Sequence, residues 1–165
     1  FTLFSVLAIP HAAHAQPAST ATPTDVAQTH ARPLATTLAA RGGTFKEVVG
    51  DVRVLTSGQP QRAAASGAAL FEGDRVVTGA SGSAAVVLRD GTVITVGPSS
   101  EMVVSVFRYE PTTQNGNLLV QVVEGSIRMI TGLLAKANPQ LVQVQTPTSL
   151  VGVRGTDFVV EVPKL

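Results

Sequence analysis

Residues 146–160 read TPTSLVGVRGTDFVV, setting two glycines, an arginine and an aspartate among β-branched residues. Pro147 offers no amide hydrogen to a ladder, so it closes a strand. Gly152 and Gly155 are then expected to take positive φ or to permit a close backbone approach, as a tight corner or bulge requires. Val151 and Val153 are expected to face a core. Arg154 reaches outward or pairs with Asp157. Phe158–Val162 reads as the strand leaving the corner, with Phe158 and Val160 on its inner face.

Outward from this stretch the chain repeats one theme. Upstream, Val142 and Val144 alternate with Gln143 and Gln145, the pattern of a strand with one buried and one wet face. Thr131–Asn138 suits a single helical turn that Pro139 terminates. Before it come Val-rich runs at Val52–Leu55, Leu70–Thr78, Ser83–Leu88, Thr92–Val96, Met102–Phe107, Leu118–Val123 and Ile127–Ile130. Turn signals separate them: Gly50-Asp51, Gly73-Asp74, Asp90-Gly91, Asn115-Gly116 and Glu124-Gly125. Ser57–Ala69 reads as a loop with an interrupted alanine run. No run holds an i, i+3, i+4 apolar pattern long enough for a helix of ordinary length. The fold class is therefore all-β, of stacked short strands, sandwich-like or solenoid-like.

The N-terminal part differs. Residues 1–15, FTLFSVLAIPHAAHA, join an apolar run to an Ala13-His14-Ala15 cleavage pattern and read as a signal peptide without its charged n-region. Residues 16–43 are rich in Ala, Thr and Pro and read as a flexible linker, with a frayed helical turn ended by Gly42-Gly43. Residues 44–165 form the β domain. The expected location is periplasmic or secreted, with no retained transmembrane helix.

Composition narrows the function. The chain has no cysteine, and its three histidines all precede the β domain, which leaves no Ser-His-Asp triad and no Cys- or His-based metal site there. A net charge of +1 gives no electrostatic footprint for nucleic acid. With 4% aromatic residues the core must be built from Val, Ala, Leu and Ile. No catalytic residue, cofactor or metal site is assigned. Asp90 before Gly91 is read as a turn residue rather than an acid catalyst. Glu72 and Asp74 lack the regular spacing of a calcium loop and are also read as turn chemistry.

Three segments in order, Leu88-Arg-Asp-Gly-Thr-Val-Ile-Thr-Val-Gly-Pro98, Val123-Glu-Gly-Ser-Ile-Arg128 and Val153-Arg-Gly-Thr-Asp-Phe158, together with Thr146-Pro147, resemble the FecR family domain over about Thr44 to Val162. The resemblance implies a β-rich domain outside the bacterial inner membrane. Well-known members regulate a sigma factor and listen to a TonB-dependent receptor. Lacking a sigma-binding segment, this chain is expected to keep only the sensing or binding half. It reads as a non-enzymatic binding or signalling module that recognises an envelope protein, with a TonB-dependent receptor or regulator as the partner class implied by the resemblance. The alternative is a structural or adhesin-like segment of a larger cell-surface protein. Arg154, Gly155, Thr156 and Asp157 are the candidate residues, either for partner binding through a carboxylate clamp or for locking the corner.

Overall fold

The structure, a computed structural model, describes residues 41–154 and 156–164. The expected signal peptide and residues 16–40 of the expected linker lie outside them. Twelve strands follow: β1 (Arg41–Val49), β2 (Val52–Leu55), β3 (Arg62–Ala63), β4 (Ala69–Phe71), β5 (Arg75–Thr78), β6 (Ser83–Leu88), β7 (Val93–Val96), β8 (Glu101–Glu110), β9 (Asn115–Ile130), β10 (Val142–Gln145), β11 (Leu150–Gly152) and β12 (Asp157–Val162). One short helix, α1 (Leu133–Ala137), and a 3-10 turn, Pro139–Leu141, connect β9 to β10. The all-β class holds. The strands form one curled sheet in the order β3-β2-β5-β8-β9-β7-β6-β1-β4, with β10 and β12 also against β9 and β11 against β10. β10 runs parallel to β9, and the other described pairs are antiparallel.

β9 makes this one sheet rather than two. Its first half, Asn115–Glu124, lies between β8 and β10, and its second half, Gly125–Ile130, lies between β7 and β12. Leu118, Val120 and Val122 are buried in the first half, Ile127 and Met129 in the second. The inward positions thus change from even to odd. A strand with an unbroken period of two would turn one of those sets to solvent. Gly125, at φ +83°, supplies the extra step that keeps both halves facing one core. A Cβ at Gly125 would lie 2.5 Å from Ser100 Cα, so the position excludes side chains on space as well as on dihedral. Glu124-Gly125 is therefore not the chain-reversing turn expected from the sequence, but a pivot inside a sixteen-residue strand.

Other expectations shift in similar ways. β1 opens at Arg41, inside the expected linker, and pairs with β4 and β6. Gly43 ends no helical turn. It lies in this strand, and a Cβ there would come 2.6 Å from the Val87 carbonyl oxygen. Val52–Leu55, after Gly50-Asp51, forms a strand as expected, but it and β1 before the turn part into different regions of the sheet, β1 to β6 and β2 to β5. Asn115-Gly116 sits in the β8–β9 ladder opposite Glu110 and Tyr109, with residues 111–114 making the turn. A bulge between Val104 and Val106 switches β8 in the same manner as Gly125 switches β9, so that Val104 and Phe107 both point inward. The Asp90-Gly91 hairpin, the helical turn before Pro139 and the alternation of β10 stand as read.

The core is a single cluster drawn from both halves of the sheet, including Phe45, Val54, Leu70, Val86, Ile94, Met102, Phe107, Val120, Met129 and Leu134. Burial of each large aliphatic side chain contributes about 1.5–3 kcal/mol. Polar groups at the seams are satisfied. Ser100 Oγ accepts from Ser126 N (2.9 Å) and donates to Pro98 O (2.9 Å), while Ser100 N donates to Thr78 Oγ1 (2.9 Å). The buried Asp90 carboxylate accepts from Thr92 N (3.1 Å) and Thr92 Oγ1 (2.7 Å). Thr92 Oγ1 in turn accepts from Gly132 N (3.0 Å), and Asp90 O from Leu133 N (2.8 Å), which docks the start of α1 on the β6–β7 hairpin. Asp90 is a turn residue, as read.

Candidate functional site

The site follows β10. Thr146 N donates to Ser149 O (2.8 Å) and Ser149 N to Thr146 Oγ1 (3.0 Å), closing the turn that carries Pro147. The chain returns as β11 against β10, with Val151 opposite Val144. Val153 N donates to Val142 O (3.1 Å), so Thr146–Ser149, Val144–Val151 and Val142–Val153 are the hydrogen-bonded pairs of the ladder. The backbone groups of Leu150 and Gly152 therefore point to the free edge. Val153 is buried as expected, at 4% exposure. Val151 is not: it is 42% exposed and Leu150 61%, because β11 lies at the rim with no strand beyond it among the described residues. Gly152 has no positive φ, and a Cβ added there would meet no atom within 4 Å, so it is an ordinary strand residue rather than a corner glycine.

Of the four candidate residues, Arg154 and Asp157 do not meet as a clamp. Asp157 takes a two-pronged contact from Arg128 across the β9–β12 ladder, with Nε donating to Oδ1 at 2.9 Å and Nη2 to Oδ2. This contact holds the Asp157 carboxyl below its ordinary range and raises the Arg128 guanidinium further above its own. Both groups are exposed. Thr156 is exposed, and its carbonyl accepts from Thr131 N (2.9 Å), which fixes the entry to β12. Gly155 lies outside the described residues. Arg154 is exposed and no described residue pairs with it. It lines a cavity of about 360 Å³ with Asn138, Pro139, Gln140, Gly152 and Val153.

Arg128 reads in the sequence as a solvated strand position, which it is, but not as the partner of Asp157, and Asn138 and Gln140 are not singled out there. Arg128 stands at an outward position of β9, but which acid lies across from it depends on long-range register. Asn138 and Gln140 carry no local signal at all; the return of β11 brings them to Arg154. Phe158 is half-buried against the core rather than enclosed, because β12 is an edge strand.

Glu72 and Asp74 do not form a cation site. The Asp74 carboxylate is fully buried and accepts from Thr56 Oγ1 (2.5 Å), Phe71 N (2.9 Å) and Arg62 Nη2 (3.1 Å), clipping β2, β3 and β4 together. Glu72 instead faces Phe107 N at 3.4 Å. Among the described residues no three His, Cys, Asp or Glu side chains come together, and no helix is long and apolar enough to cross a membrane.

A family model described as FecR protein matches residues 74–164, from the buried Asp74 clip to just past β12. The chain belongs to the FecR family. It is a regulatory and signalling family rather than an enzyme family, and a place in the cell envelope fits it. The FecR match takes in both switching devices, the β8 bulge and Gly125, as well as the rim from β10 to β12. No curated relative matches this FecR chain. A solved structure described as "Cell surface anchoring domain" is 31% identical to it, covering 37% of this chain and 80% of that one, with a TM-score of 0.36, too low to bear on the fold.

Proposed function

We propose that this FecR-family chain is an exported, non-enzymatic module that recognises another envelope protein, and that it does so by accepting an extended segment along the free edge of β11. The observation that carries this is the difference between two edge strands, β12 on β9 and β11 on β10. β12 presents Asp157 and Glu161, and charge on an edge discourages a foreign strand. β11 presents Leu150, Val151 and Gly152, all exposed, with no charge before Arg154. Its outward backbone groups await a donor strand, the arrangement by which sheet edges capture peptides. A TonB-dependent receptor or an inner-membrane regulator is the partner class that the family favours.

Leu150→Pro tests the edge. Proline there removes an outward amide and leaves the bonds to β10 in place. Affinity capture of the tagged chain from its native cells, read by mass spectrometry, should return an envelope protein that the Leu150→Pro variant fails to capture at unchanged thermal stability. Equal capture by both proteins sinks strand addition. Capture of only the chain itself or of surface polymers would favour the structural, adhesin-like role instead.

A further inference from the structure

The cavity at Arg154 has an unusual balance of hydrogen-bonding groups. Three of its six lining residues, Arg154, Asn138 and Gln140, bring side-chain N–H donors, and none is acidic. The Asn138 carboxamide oxygen is turned to the backbone, accepting from Gln140 N at 3.1 Å, and its two amide hydrogens have no partner among the described residues. The other described arginines are mostly engaged: Arg41 with Thr44, Arg53 with Asp51, Arg62 with Asp74, Arg75 with Glu101, Arg128 with Asp157, and Arg89 over the Phe107 ring. Arg154 and Arg108 have no such partner among the described residues, and Arg154 opens on a cavity. Gly152 leaves the wall beside it clear, since a side chain there would meet nothing.

We propose that this cavity is a binding site for a single carboxylate, gripped by the planar fork of Arg154 and supplemented by the amides of Asn138 and Gln140. One guanidinium matches one carboxylate in charge and in two-pronged geometry. A phosphate would call for more positive charge than this wall holds. The proposal deepens the reading of the rim as a recognition surface, on which it rests for its biological partner. A strand captured on β11 would place its terminal or side-chain carboxylate beside Arg154. A free small carboxylic acid would satisfy the same donors.

The test is titration of the isotope-labelled full chain, followed by amide shifts at Gln140, Gly152 and Val153. The probes are a short peptide with a free C-terminus, its C-terminal amide, propionate and inorganic phosphate. The site predicts saturable shifts with the peptide acid or with propionate, weakened about tenfold in the amide and in Arg154→Gln. Arg154→Lys, which keeps the charge but not the fork, should fall between. Binding of the peptide acid alone identifies a polypeptide ligand, and of propionate alone a small-molecule one. The site is overturned by no saturable shift with either carboxylate, by equal binding of acid and amide, by unchanged binding in Arg154→Gln, or by tighter binding of phosphate. If the carboxylates fail while Leu150→Pro still abolishes partner capture, strand addition stands without this site.

Discussion

The seam around Gly125, inside β9, and the rim around Arg154, beyond β10, are both glycine-marked stretches, yet they are built in opposite ways. At the seam, Gly125 has a left-handed backbone and Ser100 packed against it, and Thr78, Ser100 and Ser126 exchange hydrogen bonds. At the rim, Gly152 has open space beside it, Leu150 and Val151 are exposed, and Arg154 is unpaired among the described residues. The seam fixes the fold and has no freedom left for a partner. The rim contributes little to the fold and keeps its backbone groups, donors and apolar surface available. On the proposed reading, folding and recognition are separated along one sheet.

Substitutions can break or sharpen that contrast. The largest effect is expected at the seam: Gly125→Val combines a strained dihedral with a collision against Ser100 and should cost more than about 4 kcal/mol in urea unfolding. A variant that unfolds at the wild-type midpoint would show that β9 does not pivot there. Asp74→Ala removes a buried carboxylate with three donors and should cost about 3 kcal/mol, read in the same experiment. Thr92→Val deletes the hydroxyl shared by Asp90 and Gly132, for an expected loss of about 1–3 kcal/mol. At the rim, Gly152→Ala should stay within about 0.5 kcal/mol of wild type.

The exposed Arg128–Asp157 pair adds a small pH signature. Asp157 titrates lower in the folded chain than unfolded, because Arg128 donates to its charged form. Its stabilising contribution is therefore present above the ordinary aspartate range and is lost as pH falls through the lowered folded value. Asp157→Asn should lower the neutral plateau slightly, by the contribution that the charged pair makes there, and flatten the acidic limb of the stability curve. An unchanged limb would mean the contact does not persist in solution.

Much of the fold was legible because turn residues and alternation are local signals. The β6–β7 hairpin at Asp90-Gly91 and the buried Val142 and Val144 of β10 followed directly from them. The role of Gly125 was legible only in part. Polar residues do change parity across it, from Gln121 to Ser126 and Arg128, but a glycine after glutamate also reads as a reversal, and only the pairing of β9 with four neighbours separates the two. The sequence singled out the rim, but the pairing it offered there is not the one the structure shows. Arg154 and Asp157 are close in sequence, and local spacing favours their pairing. The register of β12 on β9 instead places Arg128 beside Asp157 and leaves Arg154 to a cavity whose other polar walls come from the turn after α1.

The central claim, that the rim and not the rest of the sheet meets the partner, can be tested by site-specific photocross-linking in the native cells. A photoreactive residue is placed at Val151 on β11 in one strain and at Thr95, exposed on the outer surface of β7, in another. The account predicts a discrete adduct with one envelope protein from position 151 and none from position 95. No adduct from 151, or the same adducts from both positions, would contradict it.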